Sequence, residues 1–183
     1  MTVDPSITLR RYQADDVLPL YEAACESIEE IYPWMPWCHP GYTLDDSRSW
    51  VMSRLDTWGQ PDYDFVIVEQ TTKRFLGAVG INQINRVHDF ANLGYWVRSS
   101  ATGHGIAVLA VRVCARFGFD ELQLNRLEIV VDVDNRRSQR VAEKVGATRE
   151  GIARQRSKTG DTWHDAYMFS LLSFDLGFTP ALV

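Results

Sequence analysis

Three strand-like segments, 63–69 (YDFVIVE), 75–84 (FLGAVGINQI) and 90–98 (FANLGYWVR), follow one another with only TTKR and NRVHD close to their junctions. Polar links this short turn the chain straight back, so the segments are expected to pair as an antiparallel meander. A parallel crossover needs a dozen or more residues, which these links do not supply. Gly94, inside the third segment, suggests a close backbone approach or a local irregularity. That segment then runs through Ser99-Ser100-Ala101-Thr102-Gly103-His104-Gly105 into a strong helix with Ile106, Leu109, Ala110, Val113 and Phe117 on one face.

The flanking segments complete the pattern. Residues 7–12 read as a strand, and Asp15 or Asp16 caps a helix with Val17, Leu20, Tyr21, Ala24, Ile28 and Ile31 at helical spacing. The prolines of Tyr32-Pro33-Trp34-Met35-Pro36-Trp37 end it. Thr43, with Asp45 and Asp46 in the first turn, starts a second helix near 44–58, with Trp50, Val51, Leu55 and Trp58 on its apolar side. Residues 126–133 alternate as a strand, Asp134-Asn135 opens a helix that Gly146 can end, and 147–157 with 163–174 form a closing hairpin around Lys158-Thr159-Gly160-Asp161. The tail from Gly177 to Val183 is expected to be loosely held. The order β-α-α-β-β-β-α-β-α-β-β predicts an α/β (α+β) domain over residues 1–183, with a mixed, mainly antiparallel sheet of about seven strands and about four helices.

Composition narrows the function. With 45% hydrophobic and 23% charged residues, the 183-residue chain can bury one sizeable core. The net charge is -5 and there is no lysine- or arginine-rich run, which disfavours direct nucleic-acid binding. Met1 to Arg10 has no apolar core of a secretory signal, and no stretch reaches the length of a membrane span, so no membrane association is expected. Cys25, Cys38 and Cys114 are scattered, which argues against a disulfide framework and suits a reducing cytoplasm. The dispersed histidines suggest no metal, and Cys114, inside the helix after the glycine loop, reads as a packed thiol.

The segment from Tyr95 to Ala107 carries the chemistry. Gly103 and Gly105 let the backbone come close to a ligand, and the open N–H groups of the helix start suit a pyrophosphate. A Walker loop would need a lysine followed by Ser or Thr, which this loop lacks. A dinucleotide fingerprint would need a third glycine where Val108 stands, after a parallel βαβ unit. The pyrophosphate loop of acetyl-CoA-dependent transferases fits in both position and composition.

Seven pieces, in order, carry a family resemblance over nearly the whole chain: the ITLR start, Trp34-Met35-Pro36-Trp37, Leu93-Gly94-Tyr95-Trp96-Val97, Gly103-His104-Gly105, Asn135-Arg136-Arg137-Ser138, Lys144-Val145-Gly146-Ala147 and Trp163-His164-Asp165. The chain resembles GNAT acetyltransferases of the ribosomal-protein N-acetyltransferase type. The wider family loop reads [QR]-x-x-G-x-[GA], and Ser100 departs from its first position.

The resemblance implies acetyl-CoA as co-substrate, with no metal, and direct attack on the thioester by an acceptor amine, the N-terminal α-amine of a protein. It makes Trp96, Val97, Arg98, Thr102, Gly103, His104, Gly105, Ile106, Ala107, Asn135 and Ser138 the cofactor-binding residues. The pantetheine arm would lie between splayed strands 90–98 and 126–133, with the Val97 amide on the thioester oxygen. Ser138 would protonate the departing thiolate; a helix cap by Asn135 with Ser138 at the third position is the plainer reading of the same residues. The family's proton-accepting glutamate falls on Ser157, which cannot serve, leaving Glu128, His88 and Asp165 as substitutes, with Glu128 on the strand expected to face the cleft. The Tyr32–Trp37 segment would wall the acceptor groove, or else plug the core between two helices. A homodimer is implied by resemblance alone. Acetylation of a small amine (antibiotic, polyamine or amino acid) and a non-catalytic acyl-CoA-binding module are the competing readings.

Overall fold

A computed structural model describes residues 7–59 and 61–177; the chain ends, including the tail from Phe178, lie outside the described residues. The elements run β1 (Ile7–Arg11), α1 (Val17–Cys25), α2 (Ile28–Ile31), α3 (Leu44–Asp56), β2 (Tyr63–Glu69), β3 (Phe75–Asn85), β4 (Phe90–Val97), α4 (Ile106–Asp120), β5 (Arg126–Asp132), α5 (Arg136–Val145), β6 (Thr148–Thr159) and β7 (Thr162–Leu171). All of these strands join one seven-stranded sheet in the order β1-β2-β3-β4-β5-β7-β6. The β1–β4 meander and the β5–β7–β6 group are antiparallel, and only β4 and β5 run parallel where the two halves meet. The intervening α4 makes that parallel link possible.

Alternation along the strands sorts side chains onto two faces. Ile67, Val79, Ile81, Leu93, Leu127, Ile129 and Phe169 pack with Ala110, Val111, Cys114 and Ala115 of α4 and Ala142 and Val145 of α5. Val66, Val68, Phe75 and Ala78 on the other face pack with Leu20, Ala23 and Val51 of α1 and α3. Each large apolar side chain fully buried this way contributes about 1.5–3 kcal/mol relative to exposure.

Several helix faces differ from the spacing argument. In α4 the inward face is Ala110, Val111, Cys114, Ala115 and Gly118, while Val113 is half exposed. The small residues matter because a Cβ on Gly118 would lie 2.8 Å from Ile81 Cδ1; only a smooth face lets α4 come that close. Cys114 is fully buried, as expected of a packed thiol. The first long helix divides at Glu26–Ser27, because the buried Ser27 hydroxyl donates to the Ala23 carbonyl and accepts the Ser99 N–H. The α3 helix stops at Asp56. Trp58 lies beyond it, packed edge-on to Tyr63 and Phe65, and Trp50 and Leu55 are exposed instead of core. Gly94 causes no irregularity, since its pairing with Gly80 is in register. The close backbone approach is at Gly77 (φ 150°), where a Cβ would lie 2.1 Å from the Trp96 carbonyl oxygen. No helix among the described residues is long and apolar enough to cross a membrane.

Candidate active site

The strands β4 and β5 separate early. Their ladder covers only Phe90↔Arg126, Ala91↔Leu127 and Asn92↔Glu128, while β4 continues along β3 to Val97 and β5 continues along β7 to Asp132. A wedge-shaped gap therefore opens beyond Asn92. The Arg98 N–H donates to the Leu76 carbonyl on β3 at 2.8 Å. Successive N–H groups of a strand point to opposite sides, so those of Val97 and Tyr95 face the gap.

Beyond β4 the chain makes a short turn, Ser99–Ala101, and then passes Gly103 (φ 83°) and Gly105 (φ 79°) before α4 begins. Both glycines hold left-handed backbone, and a Cβ at either would meet nothing within 4 Å, so the loop surface is open. The first N–H groups of α4 have no partners within the helix and form a donor cluster there. The loop is tied down from behind. Glu26 accepts from Arg98 Nε at 2.9 Å, Arg98 Nη2, the Ser100 N–H at 3.1 Å and the Ser100 hydroxyl at 2.8 Å. The Arg98 guanidinium and these Ser100 bonds hold the Glu26 carboxyl at about 2, well below its ordinary range.

A cavity of about 420 Å³ follows the gap and this loop. Trp96, Val97, Thr102, Gly103, Gly105, Ile106, Ala107, Asn135 and Ser138 line it, together with Arg137, Arg140 and Lys144 of α5. Two residues expected in it lie elsewhere. Arg98 is buried against Glu26 and the Phe75 carbonyl, so its side chain braces the loop and does not face the cavity. His104 is exposed and lines neither this cavity nor the second one described below. The basic stripe was missed from sequence, although positions 137, 140 and 144 recur at helical spacing and share one face of α5. Among the described residues none of the three is in a salt bridge.

At the start of α5, Asn135 Oδ1 accepts the Ser138 N–H at 3.0 Å, the cap expected of this pair. The Ser138 hydroxyl lies 2.7 Å from the Tyr95 hydroxyl, which also donates to the Ser138 carbonyl at 3.2 Å. Tyr95 thus spans the gap from β4 to α5. Burial pushes its phenol up to about 12, so it keeps its proton at neutral pH. Its role was not read from the sequence, because nothing local links positions 95 and 138.

A second cavity, of about 540 Å³, lies on the opposite sheet face under α1 and α3. Met35, Tyr95 and Trp96 line both cavities. Trp37, from the proline-rich segment, packs on Trp96 at 5.2 Å and on Tyr42 at 5.7 Å, and it lines the second cavity. Asp64, Gly80 and Gly94 form part of the floor.

The three substitutes for a proton acceptor are placed otherwise. Glu128 shares the sheet face of the second cavity but lines neither cavity, and its carboxylate is held by Arg126 Nε at 3.0 Å. It is not retained as the base. Asp165 Oδ1 accepts the Gln155 N–H at 2.8 Å where β6 bulges, which is a structural bond. His88 is exposed in the β3–β4 turn. Ser157 pairs with His164 across β6 and β7, and its buried hydroxyl has no hydrogen-bond partner among the described residues.

The profile of the acetyltransferase (GNAT) domain matches residues 6–148. The "Probable N-acetyltransferase YjcK" of Bacillus subtilis (strain 168) is 34% identical over 138 residues, covering 73% of this chain and 75% of its own. The ribosomal-protein-serine acetyltransferase of Escherichia coli (strain K12) is 24% identical over 168 residues, covering 92% and 93%. Among solved structures, RimL, a ribosomal L7/L12 alpha-N-protein acetyltransferase in complex with coenzyme A, superimposes with a TM-score of 0.83 at 21% identity, covering 93% of this chain and 96% of its own. That likeness speaks to the fold.

Proposed function

The chain belongs to the GNAT acetyltransferase family, and from that premise we propose that it moves the acetyl group of acetyl-CoA to the N-terminal α-amine of a protein, by direct attack while both substrates are bound. The observation that carries this reading is the pair of cavities, one on each sheet face, that share Met35, Tyr95 and Trp96 at the open gap. A donor in one and an acceptor in the other would meet at that shared wall, with no covalent enzyme intermediate required.

The first cavity fits the donor. The α4 start supplies N–H donors for a pyrophosphate, and Arg137, Arg140 and Lys144 supply positive charge along the same wall. Bound there, acetyl-CoA supplies an activated acyl group on a good leaving group. The Val97 N–H, facing the gap, is the donor for the carbonyl oxygen as negative charge develops on it. Ser138 gives a proton to the departing sulfur, and Tyr95, hydrogen-bonded to Ser138, orients that hydroxyl. A thiol of ordinary pKa, near 8.5, needs only modest help to leave, which a hydroxyl pair can give. The acceptor attacks as the neutral amine, its ammonium proton given to solvent, and the further proton it loses on amide formation restores the Ser138 hydroxyl through water, so amine and thioester become amide and thiol.

The test is mass spectrometry of two acceptor panels, short peptides with free N-termini and small amines, each incubated with the protein and acetyl-CoA. One added acetyl group on the peptide N-terminus, with the small amines unmodified, is the expected result. Acetylation confined to the small amines would sink the protein N-terminus reading and leave amine acetylation.

A further inference from the structure

The second cavity is larger than an amine with a small side chain can fill. It holds about 540 Å³, within the range of about 300–1,000 Å³ that encloses a drug-sized ligand. Its walls carry rings from four separate places in the chain: Tyr12 just after β1, Trp37 and Tyr42 before α3, Trp50 on α3 and Trp96 on β4. Two of these rings are not spent on the core. Trp37 is 38% exposed and Trp50 is 41% exposed, although both line the cavity. An indole left in water gives folding little, because burial of its surface is what stabilises.

Each exposed ring is nevertheless held in place. Trp50 meets Tyr12 edge-on with centroids 6.5 Å apart, and the Arg54 guanidinium lies 4.4 Å from its centroid. Trp37 meets Tyr42 and Trp96 at interplanar angles of 69° and 62°. None of these pairs is stacked flat, so a further ring can join the cluster at the offset or edge-on angles that aromatic groups prefer. The polar groups of the lining are already engaged. Asp46 accepts the Thr43 N–H at 2.8 Å and the Thr43 hydroxyl at 2.7 Å. Asp64 Oδ2 accepts from Arg54 Nη1 at 2.8 Å, and Oδ1 fills the space over Gly80. No lysine or arginine lines the cavity among the described residues, so an anionic side group would find no partner there.

We infer that the second cavity selects acceptors whose first residue carries a large aromatic side chain, seated among Trp37, Trp50 and Trp96 while the α-amine reaches the wall shared with the first cavity. Such a side chain covers the two exposed indoles and gains ring contacts on several sides at once. A first residue of alanine or serine leaves most of the rings without a partner. The inference rests on the acceptor reading of this cavity and adds its side-chain selectivity.

Three uncharged probes test it without any contribution from the amine: the N-acetyl amides of phenylalanine, leucine and alanine, which stand for the first residue of the bound product. Binding is read by intrinsic tryptophan fluorescence, because Trp37, Trp50 and Trp96 line the cavity, in the presence of saturating CoA. The phenylalanine amide should bind saturably and about tenfold or more tighter than the alanine amide, with leucine between them. In Trp50→Ala, the phenylalanine amide should lose most of that advantage, while alanine-amide and CoA affinities stay unchanged. Equal or tighter binding of the leucine or alanine amide, no saturable phenylalanine-amide binding, or an unchanged ranking in Trp50→Ala would overturn the inference. The ranking in the unaltered protein decides the matter even if the variant does not fold. Peptides that differ only in the first residue separate this inference from the reading beneath it. Acetylation of phenylalanine- and alanine-first peptides at equal kcat/KM would sink the selectivity and keep the protein N-terminus reading. Peptides that all fail as acceptors while the amide ranking holds would remove the protein N-terminus reading and leave the aromatic selectivity standing.

Discussion

The two cavities lie on opposite sheet faces, share a wall, and are built by opposite means. The first draws most of its polar groups from the segment between Tyr95 and Val108 and from Asn135 and α5, with Glu30 of α2 beside them. Its charge is positive, with Arg137, Arg140 and Lys144 against Glu30. The second gathers side chains from the end of β1, from α1, from the aromatic segment before α3, from α3 itself and from β2 to β4. Its charge is negative and its walls are aromatic. The difference teaches what each side must do. A phosphate-bearing donor can be held by backbone N–H groups and a basic stripe, which local sequence can encode. An acceptor must be recognised by its side groups, which needs convergence of distant residues.

The largest expected effect falls at Ser138, which lines the first cavity beside the shared Tyr95, and should spare binding on both sides. Ser138→Ala should lower kcat by about a hundredfold, the range of a lost proton donor, with acetyl-CoA affinity and acceptor KM nearly unchanged. Steady-state kinetics beside calorimetric acetyl-CoA binding would show this. An unchanged kcat in Ser138→Ala would leave Ser138 only its backbone N–H bond to the Asn135 cap. Next in size, Arg140→Ala should weaken acetyl-CoA by about tenfold, the loss of one charge-assisted contact, and leave acceptor KM alone. The loss should shrink as salt rises. An equal rise in acceptor KM would break the division between the two sides.

The smallest effect concerns the brace behind the first cavity's loop. Glu26, at the α1–α2 corner, holds the loop of the first cavity through Arg98 and Ser100. Its carboxyl titrates at about 2 in the folded protein against an ordinary 4.5. A depressed folded value means the stabilisation is fully present above pH 4.5 and is lost as pH falls from 4.5 towards 2. Glu26→Gln should therefore lower stability at neutral pH and flatten its dependence on pH within that window, read by chemical denaturation at several pH values. An acid limb as steep in Glu26→Gln as in the unaltered protein would show that the pair is not coupled to folding.

Much of the fold was legible. Links too short for crossovers required the meander, and the order of elements gave the strand-loop-helix unit and the closing hairpin. The loop glycines and the Asn135–Ser138 cap were also readable, because both follow from local backbone demands. Errors arose where a side chain had two uses. Arg98 stood beside the loop in sequence and turned to Glu26 in space. Trp50 fitted a helical stripe but stands exposed at a cavity rim, and Val113 fitted one yet faces solvent.

By itself, then, the sequence determined what depends on neighbours along the chain: turns, caps, strand alternation and the open helix start. Backbone geometry and hydrogen bonding over a few residues decide those features. Only the tertiary structure decided the Tyr95–Ser138 contact, the pairing of Arg98 with Glu26, the commitment of Glu128 to Arg126, and the seating of the Asp64 carboxylate over Gly80. These depend on strand register and on which face each residue takes. A shift of one residue would turn the strand side chains among them, Asp64, Tyr95 and Glu128, to the other side of the sheet.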